Sequence, residues 1–449
     1  MLSRGSYSKI IGTLVVEEPL DVRGYPLAPP GLQLEQVHIF VRHGERTPVR
    51  IRMTDPPASL PERWQMCSAA RQFSEAVDLT VPTAPSQRTL WFKKAVETEG
   101  GSTAPGLWHV LSLTDLGRET TFSFGRALRK LYVDRLGFLP KVLQHESQAY
   151  FRLPSTLRST YVDRTIESLE QIVYGLYPPT QCAANVVPPI FTRNRVEDNL
   201  VSNILGCPKL GLLEEQFTEA AAARWNPRLE GLDKKLSKYI KGKPIRIDGQ
   251  PRASGILDSV RSAAAHGIPV PPEFWDPEIV NLLETAVSDE WFSLKTEEGR
   301  RLGIGRLLAD ISARMLSKVV QGNKDPLKIL VHSTHDSTLA ALCATFDVFD
   351  EKWPPFTSSV TFELFKKASR PEPRTAFQAL LGERWRTHTS LDDYYIRMRY
   401  KNRNMVLPLC AEEGKHLPGS PEFCTLSAFQ RRVKELTPVN WASECGPRT

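Results

Sequence analysis

Two stretches of the chain, LQLEQVHIF (32–40) and LKILVHST (327–334), read as strands, and each runs directly into charged, histidine-bearing sequence: VRHGERTP (41–48) after the first, HD (335–336) after the second. The first alternates in hydrophobicity. The second is a nearly continuous apolar run, the pattern of a strand buried on both faces of a sheet. Such strands, separated by helical periodicity, fit an α/β architecture, in which ligands bind beyond the carboxyl ends of the strands. Both polar sequences stand at those ends.

Between and after them the chain divides by pattern. Residues 1–31, ending in YPLAPPG, read as a lead-in segment. Residues 32–190 and 300–449 carry the α/β pattern, and 191–299, with EEQFTEAAAARW and LEGLDKKLSKYI, read as a mainly helical insertion. Residues 52–107 are rich in Pro, Ser and Thr and read as a long loop region containing Trp64 and Trp91, with Trp108 at its end. The stretch 112–138 reads as a helix with Thr114 as N-cap and Gly137 as stop; 159–179 reads as a second, with Val162, Ile166, Leu169, Ile172 and Val173 on one stripe, Gly175 near the stop and Pro178 beyond it. EGRRLGIGRLLADISARMLSKVVQG (298–322) reads as a long amphipathic helix. RMRYKNR (397–403) alternates with Tyr395, Ile396, Met398 and Tyr400, which predicts an edge strand with a solvated basic face and no nucleic-acid partner.

Composition excludes other classes. The 449 residues are 41% hydrophobic, enough for a large core, and 58 Lys and Arg against 51 Asp and Glu leave a net charge of +7, a weak preference for anionic ligands. No run approaches the length of a transmembrane segment. The first sixteen residues carry Arg4 and Lys9, three serines and no acid, a composition that suits a mitochondrial presequence and equally an ordinary frayed terminus. Without an N-x-[ST] sequon, a mitochondrial or cytoplasmic address is favoured over a secreted one. Gly303 and Gly305 sit inside a helical pattern with Leu308 where a dinucleotide loop needs glycine, and GKPIR lacks the upstream glycine of a P-loop. Seven cysteines with no C-x-x-C spacing and no H-E-x-x-H leave no visible metal site; buried thiols and disulfides both remain open.

VRHGERTP carries the chemistry. Gly44 and Pro48 disfavour a helix, so Arg42 and Arg46 sit on a turn where their guanidiniums can converge on a dianion. Charged imidazole would add repulsion there, so the arginines should keep His43 neutral, and a neutral ring nitrogen facing phosphorus is a nucleophile. His335 and Asp336 end the second strand, where the start of a helix adds backbone donors for an anion.

These residues resemble the histidine acid phosphatase family. Arg42 to Pro48 match its R-H-G-x-R-x-P, His335 and Asp336 match its His-Asp pair, and RSTYVDRT (158–165) matches the segment bearing its intervening arginine, placed at Arg158; LTDLG and GLYPP stand in family positions too. The resemblance implies an α/β, phosphoglycerate-mutase-like mixed sheet with helices on both faces and an α-helical cap. It implies hydrolysis of small-molecule phosphate monoesters with no cofactor and no metal. His43 would be nucleophile and Asp336 proton donor, with Arg42, Arg46, Arg158 and His335 on the phosphoryl oxygens. It also implies that Cys207 approaches Cys445 and Cys410 approaches Cys424, with bridge and free thiols both open. FDVFDEKWPPF and TFELF are most similar to the branch acting on lysophosphatidic acid, which implies a lysophospholipid partner and an acyl channel for which Trp64, Trp91, Phe92 and Trp108 are candidates. Two other readings stay open. A phosphoglycerate-mutase-like phosphotransferase shares R-H-G-E at Arg42–Glu45, but its acid is usually a separate glutamate; a non-catalytic phospholipid-binding module needs neither His43 nor Asp336.

Overall fold

The computed structural model describes residues 19–62, 64, 95–97, 103–105, 112–144, 156–183, 186, 188–292, 294, 296–368 and 391–446. Its centre is a nine-stranded mixed sheet. The strands are β1 (Leu32–Arg42), β2 (Leu157–Ser159), β3 (Phe191–Thr192), β4 (Ile329–Thr334), β5 (Ser359–Lys367), β6 (Tyr394–Tyr400), β7 (Arg403–Asn404), β8 (His416–Leu417) and β9 (Ser420–Thr425). They lie in the order β8-β9-β6-β5-β1-β4-β2-β3, with β7 paired to β6. Strands β1, β4, β2 and β3 run parallel, while β5, β6, β9 and β8 continue the sheet antiparallel. Arg42 is level with Thr334, and Ser159 with Ser333, so three strands deliver their carboxyl ends to one edge.

Period-two alternation sends β1 side chains to two cores. Val37, Ile39 and Val41 join Ile329, Val331 and Leu157 under Phe124 and Leu128 of α1 (Asp115–Leu128) and Leu169 and Ile172 of α2 (Asp163–Leu176). Phe40 faces the other way, with Phe362, Leu364 and Met398, onto Leu308, Ile311 and Met315 of the long helix Glu297–Gln321. Each fully buried side chain of this kind contributes about 1.5–3 kcal/mol. Helices α3 (Pro208–Leu236), α4 (Ala253–Ala265) and α5 (Pro277–Trp291) enclose a third core of their own, built on Leu229, Leu236, Ile256, Leu257, Leu283 and Val287. The long helix is α6; α7 (Asp336–Thr345) follows β4, and α8 (Leu426–Leu436) packs beside α6.

Caps and close approaches explain the helix positions. Thr114 caps α1, its hydroxyl accepting from Gly117 N, and Gly137 adopts φ +59° beyond the helical stretch. Gly175 stands near the stop, as read in sequence, and within that last turn of α2 it also allows a close approach: a Cβ there would stand 2.3 Å from Phe122 O. Gly305 similarly lets α6 approach Leu436 O.

The basic strand is a correction. β6 lies between β5 and β9 rather than at an edge, and Arg397 and Arg399 are buried. Arg397 donates to Glu363 Oε2 at 2.8 Å and to the Tyr25 hydroxyl at 2.6 Å, while Tyr25 and Tyr132 donate to Glu363 Oε1. The segment before β1, through Tyr25 and Pro26, covers a basic face that would otherwise be solvated. Both cysteine pairs are disulfides, with Cα separations of 4.7 Å for Cys207–Cys445 and 5.4 Å for Cys410–Cys424, inside the range a bridge tolerates.

Candidate active site

The site begins where β1 ends. Arg42 N donates to Ser358 O and His43 N to Thr334 O, so the backbone stays in sheet register through the histidine. It then turns at Gly44, where a Cβ would meet Gly117 O at 2.3 Å; at Gly117 a Cβ would meet Glu45 O at 2.2 Å. The two glycines, one from R-H-G and one from LTDLG, let the turn lie directly on the first turn of α1. Thr114 reinforces this packing by donating to Glu45 O.

His43 is buried, and its Nδ1–H donates to Gly44 O at 2.8 Å, which leaves the lone pair on Nε2. Burial, then the charges of Arg164, Arg42 and Arg46 and the neighbouring His335, hold its pKa well below the ordinary histidine value. Arg42 donates to Pro354 O and pairs with Asp336 Oδ2 at 2.8 Å, its guanidinium lying 4.0 Å over the Phe356 ring. Arg46 pairs with Asp258 Oδ1 at 2.8 Å; the other oxygen of Asp258 accepts from Val49 N. Asp258 belongs to α4, so the helical layer reaches the strand ends directly.

β4 delivers the opposite wall. His335 caps α7, and its ring centroid lies 5.6 Å from that of His43. Its Nε2 is 3.1 Å from Thr160 Oγ1 and its Nδ1 3.5 Å from an Arg164 nitrogen. Burial and then Arg164 lower its pKa to about 3, so it is neutral. Asp336 accepts from Trp353 Nε1 at 2.8 Å on the oxygen that pairs with Arg42, and from Ser337 N on the other. Burial alone would raise its pKa, but Arg42, the indole donor, Arg46 and His335 together bring it below the usual carboxylate value. These partners favour the carboxylate form of Asp336.

Five of the six residues read in sequence therefore meet: Arg42, His43, Arg46, His335 and Asp336. Arg158 does not. Level with His332 on β2, it points to the α6 face, where it donates to Asp198 Oδ1 at 2.8 Å and to Asn199 Oδ1 at 2.6 Å. The third guanidinium is that of Arg164, six residues on, in the first turn of α2. Burial and then Arg46 lower its pKa to about 10, so it remains charged at neutral pH. The Nε atoms of Arg42, Arg46 and Arg164 have no hydrogen-bond partner among the described residues. RSTYVDRT contains both arginines, and the helix start at Asp163 was the signal that could have separated them. Asp258 was missed because nothing local marks it, and Trp353 and Phe356 because FDVFDEKWPPF, in which they lie, carries no sign that it reaches the site. Trp64 is buried in the core of the helical layer, edge-on to His266 at 5.6 Å, and so is a packing residue rather than a channel wall; Trp91, Phe92 and Trp108 lie outside the described residues.

A neutral histidine among guanidiniums at the strand ends of an α/β sheet, with a carboxyl group beside it, defines an enzyme of phosphate ester chemistry. The comparisons with known proteins give the particular family. The model of the histidine phosphatase superfamily (branch 2) matches residues 33–401. A "probable acid phosphatase" of Schizosaccharomyces pombe is 33% identical over 454 residues, covering 93% of this chain and 95% of the relative. Lysophosphatidic acid phosphatase type 6 of Bos taurus is 27% identical over 398 residues, covering 85% and 80%. Hafnia alvei phytase in complex with myo-inositol hexakis sulphate shares the fold, with a TM-score of 0.55 and 15% identity over 94% of this chain and 100% of that one. The chain belongs to the histidine phosphatase superfamily, branch 2, and is a phosphoric monoester hydrolase.

Proposed function

We propose that the chain hydrolyses phosphate monoesters in two displacements through a phosphohistidine on His43. The observation that carries this reading is the histidine's own hydrogen bond: with Nδ1–H given to Gly44 O, Nε2 holds the lone pair among three cationic side chains. In the first step Nε2 attacks phosphorus, the bond to the ester oxygen breaks, and Asp336 gives its proton to the leaving alkoxide. Arg42, Arg46, Arg164 and His335 hold the non-bridging oxygens, over which the charge of the transferring phosphoryl group is spread. In the second step Asp336, now ionised, takes a proton from water as the water oxygen attacks phosphorus and the P–N bond returns its electrons to the ring.

Asp336 must carry a proton for the first step, although the groups around it favour the carboxylate. A bound dianion reverses that balance in two ways. It draws Arg42 from the carboxylate towards a phosphoryl oxygen, and its own charge disfavours a second anion beside it. The test compares leaving groups. General-acid help is typically worth about 10²–10⁴ in rate, and a nitrophenolate needs little of it. Asp336→Asn should therefore slow phosphoenzyme formation severely with glycerol phosphate and little with nitrophenyl phosphate. Equal loss with both would remove Asp336 as proton donor.

As substrate class we propose lysophospholipids, on the similarity of FDVFDEKWPPF and TFELF to that branch and on the bovine relative. Turnover that rises with acyl chain length among lysophosphatidates supports the assignment; equal turnover of short chains, long chains and sugar phosphates opposes it.

A further inference from the structure

The segment Trp353–Phe356 touches the reacting groups more than any sequence signal announced. Pro354 O takes a hydrogen bond from Arg42, Phe356 lies under the same guanidinium, and Thr357 N donates to His43 O. Trp353 alone among these reaches Asp336, its indole N–H donating at 2.8 Å. Trp353 is itself held from the helical layer: its backbone N donates to Glu284 Oε1 of α5 at 2.9 Å, and Glu284 pairs with Arg261 of α4 at 2.6 Å. The ring packs edge-on to Phe292 at 5.3 Å, with Arg261 5.7 Å over it.

We infer that Trp353 is a positioning residue for Asp336, fixing the carboxyl group through the indole N–H and transmitting to it the placement of α4 and α5. The inference rests on the reading of Asp336 as the proton donor. Arg42 and Trp353 both serve Asp336 Oδ2, but they respond differently to substrate. Arg42 is a cation that an incoming dianion attracts; the indole is neutral, with its anchors outside the phosphate pocket. Once Arg42 is engaged by phosphate, Trp353 and Ser337 N are the hydrogen-bond donors left on the carboxyl group. A donor to the charged form favours ionisation, so Trp353 restrains the acid of the first step and supports the base of the second. The other charged groups facing Asp336 are Arg46 beyond β1 and Arg164 of α2, beside the neutral but titratable His335, with Glu284, Arg261 and Lys352 behind the indole.

Trp353→Phe deletes the N–H and keeps a ring against Phe292. The readout is the rate of phosphoenzyme formation at saturating ester against pH, because a general acid's rate falls as pH rises past its pKa in the complex. With glycerol phosphate the falling limb should move up by about one pH unit, the scale of one hydrogen bond to a charged group. With nitrophenyl phosphate it should stay. Substrate ionisation is common to both enzymes and cancels. An unmoved limb, or equal movement for both esters, overturns the proposal. Failure of the underlying reading looks different, since Asp336→Asn would then slow both esters equally. If Trp353→Phe does not fold, Glu284→Ala, which frees the Trp353 backbone from α5, is read in the same way: an upward shift supports the proposal and an unmoved limb overturns it.

Discussion

The two arginines of RSTYVDRT should fail in opposite ways when each is replaced by alanine. Arg158 is 2% exposed and its partner Asp198 0%. Removing the guanidinium leaves a buried carboxylate whose other oxygen has no hydrogen-bond partner among the described residues, a loss of about 3–5 kcal/mol. At roughly 2 °C per kcal/mol for a chain of this size, the melting temperature should fall by roughly 6–10 °C. Arg164 makes no ion pair among the described residues and faces Arg46 and Arg42 as well as Asp336 and Asp258, charges that offset one another, so its removal should leave the melting temperature nearly unchanged. Its cost should appear in catalysis. Deleting one charge-assisted hydrogen bond to phosphate in a desolvated site costs about 2–5 kcal/mol, or about 30- to 5,000-fold in kcat/KM. The assay is thermal unfolding beside steady-state kinetics, with Arg158→Ala assayed well below its transition. An Arg158→Ala enzyme of wild-type stability that binds phosphate poorly would refute the assignment, as would wild-type kcat/KM for Arg164→Ala.

Two further outcomes follow from packing and burial. Gly44→Ala and Gly117→Ala each drive a Cβ into backbone oxygen, and the forced shift of the His43 turn should lower kcat/KM by about 100-fold, the cost of an ångström-scale misplacement. Gly231→Ala, exposed in α3 with nothing within 4 Å, should instead stabilise by about 0.5–1 kcal/mol in chemical denaturation. His38 is buried with Nε2–H on Gln36 Oε1, and burial followed by Arg314 lowers its pKa from 6.5 to about 3. The unfolded chain binds the proton more readily, so the stabilisation is whole above the unfolded value and drains away as pH falls from 6.5 towards 3. Near pH 4.5 the share of the loss owed to His38 should be about 2–3 kcal/mol, read in urea unfolding as the difference in pH dependence between wild type and His38→Gln. Equal pH slopes for both proteins would contradict this.

How much was legible depends on how local the physics is. The α/β layering follows from strands such as ILVHST and the stripe on α2, because burial imprints a period on consecutive residues. The nucleophile turn was legible for a similar reason: R-H-G-E-R packs its chemistry into five positions. Arg158 and Arg164 were not separable by periodicity, since the choice depends on the face of the sheet to which β2 turns Arg158 and on where the helix that carries Arg164 begins. The basic strand misled because alternation shows two faces without saying what covers them. Its cover, Tyr25, is 372 residues from Arg397 in sequence. Asp258 reaches Arg46 across 212 residues and carries no motif of its own, while Trp353, only 17 residues from Asp336, is separated from it by an intervening helix.

The central claim is that His43 becomes covalently phosphorylated. Rapid mixing with a labelled aryl phosphate, alkaline quench and mass spectrometry of the digest should find one phosphoryl group on His43, stable in alkali and lost in acid. It should form no more slowly than product is released and be missing from His43→Ala. Full turnover with no phosphoryl group on His43, or a label carried by Asp336 instead, would contradict the account.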